Sequence, residues 1–275
     1  MKHVGARSDP KDIASQDQLL FRERLTAART YYVRTDGSDS NDGLSNTAGG
    51  AFLTVQKAID TLCSLDLGLF NCTVQIGAGT RTAALTLKKY VTGGGVAILL
   101  GDTTTPANVT MNVTGNHCVT GMECGLWQVT GMKLQTSSSG YAVFASGKTA
   151  NVELRNIDFG ACAGGHVAVG AGGFVRYSAN CTISGGGPSH WQIANGSSLI
   201  AAAINITLTG TPAFTTFANA DSLSIITVQS VTFSGLATGA RYSSTVNSAI
   251  NTFGAGASYF PGSTAGSTAT GGQYA

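Results

Sequence analysis

The stretch INITLTG, residues 204–210, alternates apolar and polar residues and then runs into a glycine. The same phrase stands upstream as NCTISG (180–185) and NIDFG (156–160), and downstream as SVTFSG (230–235). Gly160, Gly185, Gly210 and Gly235 follow one another at intervals of 25 residues. The apolar positions before them form two columns: Leu134, Phe159, Ile183, Leu208, Phe233 and Met132, Ile157, Cys181, Ile206, Val231. Lys133, Asp158, Thr182, Thr207 and Thr232 stand between the columns, where strand alternation turns them outward. Asn156, Asn180 and Asn205 make a third column beside them. A period this regular is an architecture in itself.

Strands, glycine turns and a period near 25 predict an all-β chain: a right-handed, single-stranded parallel β-helix with ~25-residue coils. Leucine-rich repeats share the period, but their leucine pattern is missing. Stacked coils place like residues about 4.8 Å apart, so each apolar column becomes an internal ladder. Parallel crossovers are nearly always right-handed, which sets the winding. Residues 72–240 would give about seven coils, a rod of roughly 34 Å. An open coil end invites pairing with other chains and needs a cover.

Working outward, the charges are unevenly spread: 17 of 30 fall in the first 66 positions. This divides the chain into a polar N-terminal attachment segment with a helix (1–30), an opening strand and cap helix (31–70), the β-helix (71–245) and a Gly/Ser/Thr-rich extended C-terminal segment (246–275). DIASQDQLLFRERLTAAR reads as a short amphipathic helix. Phe52–Leu62 reads as a second helix, with Phe52, Val55, Ala58, Ile59 and Leu62 on one side, placed to cap the first coil. From about residue 72 no further helix is expected.

The 275 residues are 43% hydrophobic and only 11% charged, with 37 glycines and a net charge of +2. That balance points to no nucleic acid and no membrane insertion, and so little surface charge suits a surface covered by copies of itself. The polar start, MKHVGARSDPKDIASQDQ, does not read as a signal peptide. Six cysteines at these spacings match no zinc pattern and are expected to be reduced and buried. Cys63/Cys72 and Cys118/Cys124 are the two pairs close enough in sequence to bridge.

YYVRTDGSDSNDG followed by AFLTVQKAID resembles the start of pectate-lyase-like β-helix proteins, which carry a strand, a D-G-x-D-x-N-x-G turn and an F-x-T-[IV]-x-x-A cap helix. Together with the ending SYFPGSTAGSTATGGQY, it resembles the tail-fibre, tailspike and related virion-spike proteins of bacteriophages and prophages. The resemblance implies a homotrimer made in the host cytoplasm and carried on the virion, anchored to other virion proteins through residues 1–30, with the β-helix toward the host envelope. Some relatives only bind surface polysaccharide, and others cleave it. The expected function is therefore a structural, glycan-binding fibre or spike subunit. The alternatives are a tailspike depolymerase and a bacterial secreted β-helix adhesin or lyase.

The candidate chemistry is sparse. Hydrolysis of a glycoside needs two carboxylates about 5–5.5 Å apart for retention, or about 6.5–9.5 Å for inversion. Glu153 and Asp158 lie on one rung, separated by a bend near Arg155–Asn156, and are the candidates for an enzyme. The competing reading is a solvated Glu153 and an Asp158 paired with Lys133. The calcium-binding carboxylate cluster and arginine base of pectate lyases have no counterpart on the coils. Asp36, Asp39, Asn41 and Asp42 supply hard oxygen ligands that could hold Ca2+, although Asx turns explain the same run; no cofactor is otherwise expected. Tyr141, His166 and His190, at intervals of 25 and 24, form an outward column joined by Trp191, which suits contact with sugar rings. In the competing reading Trp191 is core and the histidines lie buried in a trimer contact.

Overall fold

The computed structural model describes residues 22–275 and is a right-handed parallel β-solenoid of about eight turns. Each turn carries up to three short strands, and every strand pair in the stack is parallel. One register line runs the full length: Cys72, Ala97, Trp127, Val152, Val175, Leu199, Ile226, Ile250 and Tyr274. The first eight of these are wholly buried. Burying each Leu, Ile or Val contributes ~1.5–3 kcal/mol, and stacking makes every turn the floor of the next.

The second line of strands follows a corner. Gly125–Ser137 and Ala150–Cys162 run through that corner without a break, bending at Gly131 (φ 70°) and Asn156 (φ 49°). Gly131 could carry no side chain, because a Cβ there would stand 2.8 Å from the Asp102 carbonyl carbon. The apolar columns read from the repeat meet as expected: Met132 on Ile157, and Leu134, Phe159, Ile183 and Leu208 in one stack.

The last rung differs. Ile206 pairs with Phe233, not with Val231. Twenty-seven residues separate Leu199 from its partner Ile226, against twenty-four between Val175 and Leu199, so the even spacing of Gly210 and Gly235 does not mark register. A slip of two residues keeps the strand parity. Phe233 still packs on the core, against Trp191, Phe217 and Phe260.

The cap helix α1 spans Val55–Cys63, three residues later than its sequence reading, with Val55, Ala58, Ile59 and Leu62 buried. Phe52 lies outside it, bridged to Val33. Thr54 caps the helix and accepts from the Lys57 N–H at 3.3 Å. The helix expected over residues 12–29 lies mostly outside the described residues. Its last part is extended: Arg24 bridges to Asp66, and the Leu25 N–H bonds the Asp66 carbonyl at 2.9 Å.

The C-terminal segment does more than extend. Ala249–Asn251, Ser267–Thr268 and Gln273–Tyr274 continue the strand stacks. Phe260 is buried, and the Tyr259 hydroxyl bonds the Val231 carbonyl at 2.7 Å, so aromatic side chains of the tail pack against the last turns. All six cysteines are buried free thiols.

Candidate functional site

The column of Tyr141, His166 and His190 does not exist as a face. Tyr141 pairs with Gly165, while Val143 pairs with Val167 and Val167 with Trp191. His166 and His190 therefore sit one residue out of step with Tyr141, level with the wholly buried Ala142. His166, His190 and Trp191 have no exposure at all. Phe159, Tyr177, Phe214 and Phe217 close the two histidines in. Trp191 donates from its indole nitrogen to the Tyr177 hydroxyl at 3.0 Å. None of these three can touch a ligand outside the coil.

Tyr141 does face outward, with different company. His117 stands one turn below it, and the Tyr141 N–H donates to His117 Nδ1 at 2.9 Å. The His117 and Tyr141 rings lie 5.6 Å apart, and Phe144 stacks on His117 at 4.7 Å with 16° between planes. All three side chains are half-buried. The next turn places only Gly165 and Ala168 in register with Tyr141 and Phe144, so no long side chain covers that flank.

His117 was missed in the sequence, yet it lies 24 residues before Tyr141, one period away. Burial lowers its pKa below the usual histidine value. The imidazole is therefore neutral at pH 7 and, with Nδ1 accepting from Tyr141, carries its proton on Nε2. The outward column through Phe144 continues as Ala168, Gln192, Asn219, Ser243 and Ser267 and contains no charge. Asn219 donates to the Gln192 side-chain carbonyl at 2.8 Å. Aromatic rings, one N–H donor and neutral amides make a surface that suits a polyhydroxylated, apolar-faced ligand.

Glu153 and Asp158 fall into separate networks on either side of the Asn156 bend. Glu153 is only 4% exposed, so it is not the solvated carboxylate of the competing reading. It accepts from Arg176 at 2.6 Å, from Gln128 at 3.2 Å and from the Ser178 hydroxyl. Burial pushes its pKa up, but the Ser178, Arg176 and Gln128 bonds prevail and hold it below the usual value. A carboxylate kept ionised in this way is a poor proton donor. Asp158 pairs with Lys133 at 3.4 Å, and its other oxygen is buried without a partner among the described residues.

In the opening turn, Asp39 accepts from the N–H groups of Leu53 (3.0 Å) and Thr54 (2.9 Å) and from the Thr54 hydroxyl (2.7 Å). Asp36 pairs with Arg34, Asn41 donates to the Ala48 and Ala51 carbonyls, and Asp42 accepts from the Leu44 N–H. This run thus fastens the turn to the cap helix. Among the described residues no cluster of three metal-ligating side chains occurs.

No family model matches the chain, and no curated protein or solved structure matches it. The β-solenoid itself fits fibre, spike or adhesin-like proteins.

Proposed function

We propose that the chain is a fibre or spike subunit of a bacteriophage or prophage virion, and that it binds host-surface polysaccharide along the corner carrying His117, Tyr141 and Phe144. One observation carries the binding reading: three stacked rings, half-exposed on the outside of a rigid solenoid, beside a column without charge. Sugar rings present C–H faces that lie on aromatic rings and hydroxyls that bond neutral amides and imidazole N–H groups. The test is a panel of bacterial surface polysaccharides titrated against the full chain and its Y141A and F144A variants. Binding that drops at least tenfold in both variants is expected. Equal binding by all three proteins, or no binding to any polysaccharide, refutes the reading.

The proposal includes a homotrimer. Leu223, Ile225, Leu236, Val246 and Phe253 are between 45% and 73% exposed, all in the last third of the chain. Large apolar side chains this exposed on a low-charge surface, with Leu44, Leu69 and Met122 (52%, 74% and 61%) in the first half of the chain, favour burial against other copies. Light scattering after size exclusion should give three times the chain mass of 27.9 kDa; a monodisperse monomer contradicts the trimer.

A further inference from the structure

One corner of the coil joins each strand of the 8-stranded sheet to the next strand of the long register line, and in its later turns it has a recurring backbone form. In five successive turns it holds two consecutive left-handed residues: Ala171–Gly172, Asn195–Gly196, Ser222–Leu223, Val246–Asn247 and Thr270–Gly271, all with φ between 48° and 81°. The turns are locked in register. The N–H groups of Gly172, Gly196, Leu223 and Asn247 donate to the carbonyls of Asn195, Ser222, Val246 and Thr270 at 2.9–3.1 Å. Two left-handed residues in a row favour Asn-Gly, which is the sequence at 195–196. A bulky or β-branched side chain is strained there. Thr270 at least uses its hydroxyl, which accepts from the Val246 N–H at 2.7 Å. Leu223 and Val246 carry no such group.

Packing within the chain does not offset that strain either. Leu223 and Val246 are 67% and 45% exposed. The backbone bond between them sets the two side by side on adjacent turns, and Ile225, also exposed, follows two residues after Leu223. Nearer the capped end the same corner carries the exposed Val91, between Leu85–Leu87 and Ala97–Leu100, and the exposed Met122, at the end of Val119–Met122. The exposed apolar side chains of this corner therefore follow the length of the solenoid. From Ala171 onward the one charged residue in these turns is Asp221, and the Thr245 hydroxyl donates to it at 2.9 Å. Backbone strain that the chain's own contacts leave unrelieved points to a contact outside the chain. An uncharged aliphatic stripe calls for a partner surface that is itself uncharged and aliphatic.

We propose that copies of the chain meet at this corner, with the threefold axis of the homotrimer running along it, so that Leu223, Ile225 and Val246 of three parallel solenoids pack on one another. Parallel copies around an axis present identical residues at the same height, so the stripe meets its own uncharged aliphatic surface. Aliphatic side chains offer a sugar neither ring faces nor hydrogen-bond donors, so the corner is distinct from the rings of His117, Tyr141 and Phe144. The inference rests on the homotrimer reading and adds the surface that forms it.

The test joins strain relief to cross-linking, both on the full chain. L223G/V246N puts residues at ease in the left-handed turn at both positions, so its far-UV circular dichroism should match the wild type. The concentration at which its trimer dissociates, followed by light scattering, should rise at least tenfold. L223C and V246C should each link chains through a short bismaleimide. L236C, as exposed as L223C but on the corner between Thr232–Ser234 and Thr238–Ser244, should not. The six native cysteines are buried and stay silent. An unchanged dissociation concentration in folded L223G/V246N, no linkage at L223C, or linkage at L236C as strong as at L223C overturns the corner while the trimer stands. The L223C result decides the case if the double variant does not fold. A wild type that is monomeric refutes the trimer and this inference together.

Discussion

His166 Nδ1 and His190 Nδ1 lie 2.8 Å apart inside the coil, hydrogen-bonded to each other. The partners fix the tautomers. His166 Nε2 stands 3.0 Å from the Gly160 carbonyl, which can only accept, so that nitrogen carries the proton. His166 Nδ1 then accepts from His190 Nδ1–H, leaving His190 Nε2 bare, buried and without a partner among the described residues. Burial lowers the His166 pKa to about 3. Burial, and then the neighbouring His166, lowers that of His190 well below the usual value.

Acid should therefore loosen the fold through this pair. Both folded pKa values lie below the unfolded value of about 6.5, so below that pH the unfolded chain binds protons that the folded chain excludes. The stability is full above about pH 6.5 and falls as the pH drops toward 3. Between pH 7.5 and 5.0 the loss is about 2 kcal/mol per histidine, before the carboxylates begin to titrate. Urea midpoints measured across that range should fall steeply in the wild type and much less in a H166L/H190L variant, which keeps only the slope of the half-buried His117. A flat wild-type profile contradicts the buried neutral pair.

The Glu153–Arg176 pair should respond asymmetrically. Arg176 is 47% exposed in its side chain and Glu153 only 5%. R176A leaves a buried carboxylate with weaker support and should cost about 2 kcal/mol, while E153Q frees an arginine that can turn to water and should cost under about 1 kcal/mol. Urea unfolding of both variants decides the order; a larger loss for E153Q contradicts the assignment of the buried charge.

The bend at Asn156 should depend on backbone conformation alone. Its φ of 49° is easy for Gly and tolerable for Asn. N156G should change stability by less than about 0.5 kcal/mol, and N156A should cost about 1 kcal/mol. Thermal unfolding of the two variants is the check, and equal stability would refute the strained corner.

The repeat was legible because inward positions on stacked coils repeat the same chemistry: Leu134, Phe159, Ile183 and Leu208 meet as their spacing predicts. Two errors share one cause, a coil length that is not constant. A coil lengthened between Leu199 and Ile226 moved Phe233 by two residues harmlessly. A one-residue offset between Tyr141 and His166 turned a supposed outer column into core. Counting one period back from Tyr141 reaches His117, so that member of the aromatic corner was within reach. Phe144 was not, because its outward neighbours Thr120 and Ala168 share no chemistry with it. The tail's glycine-rich sequence carries no visible period, and its part in the last turns rests on the short Ser267–Thr268 and Gln273–Tyr274 pairings and on the side chains of Tyr259, Phe260 and Tyr274.

The most direct measurement is hydroxyl-radical footprinting of the full chain, free and with the tightest-binding polysaccharide of the panel, read by mass spectrometry. The account predicts that Tyr141 and Phe144 oxidise in the free protein and are protected by the polysaccharide, while Trp191 is silent in both states. Protection elsewhere with Tyr141 still reactive, or ligand-sensitive oxidation at Trp191, would contradict it.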